Sequence, residues 1–225
     1  MRIEYLLLNL LIIIGPLLLS FDQKVRYVRY WPKALSSIGL VMIPFLLWDA
    51  AVSGLHWHFN EKFTLPFRFL GLPAGELLFF ISVPFACMFI WQIIVTHRKI
   101  IWMNNRRYLW LFAGIGFLSG LLFILWDKPY TSIVCFALAL TISMDRLLKT
   151  YVLSQKRTLI FFIILTGLIF IFNGYLTARP VVLYDSRYIL NIRIWTIPVE
   201  DFVYGYALIL LCTIGFEKFK GWSNA

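Results

Sequence analysis

Charge is scarce in this sequence: 14% of its 225 residues are Asp, Glu, Lys or Arg, whereas 61% are hydrophobic and 18% aromatic. So little polar side-chain surface cannot coat a soluble globule, and a mean hydropathy of +0.81 places the chain among integral membrane proteins. Cysteine is scarce too. Cys87, Cys135 and Cys212 are an odd, widely spaced set inside apolar runs, which argues against a disulfide framework or a zinc site. No polar low-complexity tract points to disorder. No Gly-x-Gly-x-x-Gly follows a strand, so no dinucleotide or flavin domain is indicated. No paired Asp-x-x-x-Asp motifs occur, which weighs against a magnesium-dependent prenyl-diphosphate transferase. The last apolar run contains no lysine for a retinal Schiff base.

What is abundant is apolar sequence in lengths that cross a bilayer, for which a helix needs about 20 residues. Seven stretches qualify, at 3–20, 34–53, 76–96, 108–126, 129–145, 158–178 and 198–216, the fifth being the shortest. The first lacks a small-x-small cleavage site and is read as a retained span rather than a signal peptide. The net charge of +10 is no nucleic-acid footprint, because the Lys and Arg residues cluster in short gaps between apolar runs. Fourteen of the 21 fall in 22–33, 97–107, 146–157 and after 216, and seven on the other side. The bias predicts an outer amino terminus, a cytoplasmic carboxyl terminus and two long outer loops, 54–74 and 179–196, in a cell (inner or plasma) membrane protein.

The chain also resembles itself. At an offset of 125, Asn60 meets Asp185, Arg68 meets Arg193, Pro73 meets Pro198, Glu76 meets Asp201, Phe79 meets Tyr204 and Cys87 meets Cys212. At 123 Ser20 and Asp22 fall on Ser143 and Asp145, and at 124 Tyr27 falls on Tyr151 and Asp49 on Asn173. The expected architecture is therefore all-α, with seven transmembrane helices in a parallel 3+1+3 tandem repeat. Residues 1–100 form the first three-helix unit, 101–127 a connecting helix, and 128–225 the second unit. Four spans separate equivalent helices, so the halves share one orientation about an axis along the membrane normal, an arrangement open to enzymes and transporters alike.

Short carboxylates in such spans are informative because they cannot snorkel far. Asp49 ends the second run, Glu76 opens the third, and Glu200 and Asp201 open the seventh. Proline followed by an acid is an ordinary helix start. Two such starts at one place in a repeat, joined by Asp49 and Asn173 at matching helix ends, are more specific than either alone. Glu76 shares a helix face with Phe79, Phe80 and Val83, and Glu200 with Val203 and Tyr204. A carboxyl group in a dry aromatic setting can hold a proton, and aromatic faces stabilise a nearby cation. His56 and His58, with Trp57 between them, read as an interfacial loop rather than a metal site, His97 as part of a basic cluster, and Asp22 and Asp145 as solvated pairs with following bases.

Trp48-Asp49, Gly54, Trp57, Phe59 and Asn60 are followed by Gly71-Leu-Pro-Ala-Gly-Glu-Leu-Leu-Phe-Phe. Later come Asn173-Gly-Tyr-Leu-Thr-Ala-Arg-Pro-Val-Val, Arg193 and Ile197-Pro-Val-Glu-Asp-Phe. In these motifs, over nearly its whole length, the chain resembles the small membrane-embedded lycopene cyclases, whose halves occur as separate subunits or fused in one chain. The resemblance implies redox-neutral, acid-catalysed cyclisation of the linear ψ-ends of lycopene to β-ionone rings, through γ-carotene to β-carotene, with no cofactor and no metal. It places the family's Pro-x-Glu-Glu type motif on Pro73, Gly75 and Glu76 and on Pro198, Glu200 and Asp201, with Gly75 departing from the pattern. Glu200 is then the expected proton donor, with Asp201, Glu76 and Asp49 tuning it or returning the proton. Trp48, Asn60, Phe79, Phe80, Asn173, Trp195 and Tyr204 are the expected substrate contacts. Expected partners are lycopene, γ-carotene, membrane lipid and other enzymes of carotenoid synthesis, and no nucleic acid. A parallel-repeat transporter and a non-catalytic carotenoid-binding protein are the alternatives. The β or ε outcome, one or two sites, and the oligomeric state stay open.

Overall fold

The computed structural model describes residues 2–222. Helices dominate: α1 (Glu4–Leu19), α2 (Trp31–Val52), α3 (Ala74–His97), α4 (Arg106–Leu125), α5 (Pro129–Leu147), α6 (Arg157–Leu168), α7 (Gly174–Ala178) and α8 (Val199–Trp222). A π-turn, Ile169–Asn173, joins α6 to α7, so that Arg157–Ala178 is one continuous helical span. Six spans are long and apolar enough to cross a membrane. At 16 residues α1 falls short of the expected 3–20 run; it reaches about 24 Å, less than the roughly 30 Å of a hydrocarbon core. Leu40, Leu47, Leu118 and Leu125 project from the outer faces of the bundle. Exposed leucines on helices whose backbone bonds are internally satisfied are what a lipid solvent requires, and the protein is a multi-pass membrane protein.

The core sits between α3 and α8, which pack on each other and carry the deepest side chains, among them Phe80, Met88, Trp91, Leu208 and Phe216. Around them α1 packs on α3 as α5 packs on α8, and α2 lies against α8 and α3 as α6 lies against α3 and α8. The remaining helix, α4, lies on α5.

Short ladders within 54–74 and 179–196 close the end of the bundle at which α3 and α8 begin. β1 (Trp57–Phe59) pairs antiparallel with β4 (Val182–Tyr184), with His58 opposite Leu183 at the centre. β2 (Arg68–Phe69) turns into β3 (Leu72–Pro73), and β5 (Arg193–Ile194) into β6 (Ile197–Pro198). Strands of two or three residues carry no period-2 signal of their own, so periodicity could not have found them. The two hairpins lie 125 residues apart, and their turns hold Leu70 at φ 51° and Trp195 at φ 59°. A left-handed pair also recurs at Arg26 and Tyr151, before the turns that start α2 and α6.

One charge reading is corrected here. Asp145 is not solvated but fully buried beside Arg146, where it accepts hydrogen bonds from Thr150 Oγ1 at 2.8 Å and the Val152 amide at 2.7 Å. A buried carboxylate needs such donors, and these fold the chain between α5 and α6 around it. Asp22 stays exposed, accepting from the Lys24 and Val25 amides.

Candidate active site

Both acidic helix starts are built alike. The hairpin β2–β3 delivers Pro73 as the cap of α3, and β5–β6 delivers Pro198 immediately before α8. Proline lacks only a donor that a helix start leaves unused, and an acid in the first turn faces the positive end of the helix dipole. Glu76 and Asp201 are thereby fixed at equivalent places, and a tyrosine from the first helix of each half reaches each. Tyr5 Oη donates to Glu76 Oε2 at 2.5 Å, and Tyr130 Oη to Asp201 Oδ1 at 2.7 Å. Each tyrosine precedes its acid by 71 residues.

The halves then diverge. Asp201 Oδ2 also accepts from Tyr184 Oη at 2.7 Å and Asn173 Nδ2 at 3.0 Å. Burial, reinforced by the neighbouring Asp201, pushes the Tyr184 hydroxyl well above the usual phenol range, so it is held as a donor. In the first half Phe59 stands at the position of Tyr184 and stacks on Tyr5, and Asp49 stands near that of Asn173. Asp49 is 2% exposed, and its Oδ2 has no hydrogen-bond partner. A carboxyl group near the end of α2 meets the negative end of that helix's dipole, and an unpaired buried polar atom costs about 1–3 kcal/mol. Glu200 Oε2 is the other carboxylate oxygen buried without a partner among the described residues.

Glu76, Asp201 and Asp49 line one cavity of about 360 Å³, together with Tyr5, Trp57, Phe79, Tyr130, Asn173, Tyr184 and Tyr204. Among the described residues no lysine, arginine or histidine lines it. From the acids an aliphatic groove continues between α1, α3 and α6, past Leu11, Leu168 and Leu19 to Ile90. Fourteen helical residues separate Glu76 from Ile90, a run of about 21 Å at 1.5 Å per residue.

The expected residues are distributed as follows. Phe79, Asn173 and Tyr204 line the chamber with the three acids. Trp48 stands behind it, stacked on Tyr130 at 5.6 Å between ring centroids. Phe80 shares a helix turn with Phe79 but is wholly buried in the α3–α8 core. Asn60 caps a turn, its Oδ1 accepting from the Lys62 amide. Trp195 is 69% exposed on the β5–β6 turn and packs over Gly174. Glu200, the expected donor, does not line the chamber: its Oε1 accepts from Thr131 Oγ1 and the Leu190 amide, both at 2.7 Å. The residue one position before the chamber acid points about 100° round the helix, toward α5 and the loop that carries Leu190. Its Oε2 is buried without a partner.

Three donors escaped the sequence reading. Tyr5 and Tyr130 carry the same offset of 125 that revealed the acids, so that register could have found them; Tyr184 faces Phe59 in the repeat and gives no such signal. His56 is buried with its ring 4.4 Å from that of Tyr188, and burial lowers its pKa against the opposing pull of Asp185.

No curated protein and no solved structure matches the chain. The family model for lycopene cyclase matches it twice, over residues 3–94 and 127–219, leaving out α4 and little else. Matched over most of its length, the chain belongs to the lycopene cyclase family, which places it in carotenoid biosynthesis.

Proposed function

We propose that this protein is a lycopene β-cyclase, an intramolecular lyase or isomerase that closes both ψ-ends of lycopene in one shared chamber. The observation that carries the proposal is the meeting of Glu76, Asp201 and Asp49 in a single aromatic cavity at the head of an aliphatic groove. The groove takes the polyene and the chamber folds the end group. A carboxyl proton adds to the terminal double bond, and the next alkene attacks the tertiary cation to close the ring. Loss of a ring proton to a carboxylate sets the β double bond, so protons balance and no electrons are exchanged.

Glu76 is the donor in this reading, because its carboxyl faces the cavity with Tyr5 as its partner. Asp201, held by three donors, supplies the negative charge opposite the developing cation, and Tyr204 and Phe79 supply aromatic faces. Asp49, with an oxygen free of hydrogen bonds, takes up the ring proton, and that proton returns to Glu76 before the second ring closes.

The repeat reading belongs to the same proposal: a parallel 3+1+3 plan with units at 1–100 and 128–225 and α4 as connector. Support comes from the hairpins 125 residues apart and from the β1–β4 ladder, centred on His58 and its own equivalent Leu183. A two-fold axis between halves produces such self-pairing.

Three outcomes are expected. Expression in a lycopene-accumulating bacterium should yield β-carotene, and the purified protein in lipid should turn over without added nucleotide, flavin or metal. Unchanged lycopene from a well-folded protein would refute the enzyme reading. A reporter fused after Ala225 should read cytoplasmic in a cell membrane, following the fourteen-to-seven basic bias; a periplasmic signal reverses the orientation.

A further inference from the structure

A second cavity, of about 740 Å³, lies between α2, α4 and α5. Its walls repeat those of the first groove. Phe136 and Met144 of α5 stand 125 residues after Leu11 and Leu19 of α1, and Pro44 of α2 stands 125 before Ile169, each lining its own cavity. Tyr204 lines both, so a single side chain stands between the two.

The inner ends differ. Where the first groove opens on carboxyl groups, the second is stopped by aromatic rings: Tyr204 meets Trp48 at 5.8 Å and Phe45 at 5.3 Å between centroids. Among the described residues no carboxylate lines it, so it can hold a hydrocarbon but cannot protonate one. It follows α5 from Ile133 to Leu147, about 21 Å, and α5 has no internal proline to bend that wall.

We propose that this groove is a second, non-catalytic carotenoid site, holding a polyene with its end group against Trp48 and Tyr204. The inference rests on the reading of the first groove as the substrate site. A slot of this length suits a conjugated chain, which is stiff before it binds; a saturated acyl chain would have to freeze many torsions to lie in it.

The test uses Glu76→Gln/Asp201→Asn protein in phosphatidylcholine nanodiscs, titrated with lycopene and scored as carotenoid bound per chain. Two are expected. Gly114→Phe fills the second groove, since a Cβ there meets nothing within 4 Å, and should reduce the count to one; Ala137→Phe is an independent filler of the same groove. Gly15→Phe, equally open, fills the first and should also leave one. A single carotenoid lost with Gly15→Phe and untouched by both fillers of the second groove overturns this proposal and leaves the first site standing. Phospholipid retained by the parent and displaced by Gly114→Phe overturns it as well. No lycopene bound by the parent sinks both readings together.

Discussion

Glu76→Gln should abolish both ring closures, with lycopene as the only carotenoid left, whereas Glu200→Gln should still make β-carotene. The amide keeps the size of the side chain and cannot donate a proton, so the loss is the general-acid contribution, about 10² to 10⁴ in rate. Gln at 200 retains an oxygen for Thr131 Oγ1 and the Leu190 amide, the two groups that Glu200 serves. Glu200→Leu is the contrasting change: it strands the buried Thr131 hydroxyl at about 1–3 kcal/mol, removes the acceptor of the half-buried Leu190 amide, and should lower the unfolding midpoint. Because Glu76 and Asp201 share a chamber, Asp201→Asn should also leave no one-ringed product. Steady γ-carotene from stably expressed Glu76→Gln or Asp201→Asn protein would establish two independent sites. Lycopene alone from Glu200→Gln would return the donor role to that residue.

Gly75→Ala should inactivate the enzyme although it adds one methyl group. A Cβ at Gly75 would sit 2.6 Å from Tyr5 Cδ1 and 2.7 Å from Cγ, distances that real contacts do not reach. The Tyr5 ring must therefore move, and it is the ring that holds Glu76. Overpacking of this kind costs about 1–3 kcal/mol. The backbone cannot yield easily, because Asn9 Nδ2 ties the Gly75 carbonyl to α1 at 2.9 Å and Ser82 Oγ holds Asn9 Oδ1 at 2.6 Å. Tyr5→Ala in the same chain removes Cγ and Cδ1, and with them the overlap, but should not recover pigment, since it offers Glu76 no hydroxyl. Full activity of Gly75→Ala would show that Tyr5 does not hold the acid.

This glycine also shows where sequence reasoning was strong and where it stopped. The missing acid at 75 was visible as a departure from the family's motif, but its cause was not. The aromatic ring of a residue 70 positions earlier occupies the space that a side chain would need. The spans were legible because hydropathy over about 20 residues is a local property. The acids were legible because a repeat aligns them. Which acid of Glu200-Asp201 faces the chamber was not, since adjacent residues on a helix differ only in direction, and direction is fixed by what α5 and the loop that carries Leu190 place around them. The strand pair between Trp57 and Tyr184 was beyond reach for a related reason: it joins residues on different halves.

The groove that leads to the acids runs between α1 and α6, and among the described residues those two helices share no extended packing. Leu11 and Leu19 on its margin are 67% and 58% exposed. On the proposed function, substrate would arrive sideways from the hydrocarbon phase without passing through water. The concentration that governs the rate is then the mole fraction of lycopene in the bilayer. Adding inert phospholipid at constant total lycopene should slow turnover by surface dilution, whereas adding buffer should not. Any KM for this enzyme has to be stated in mole per cent.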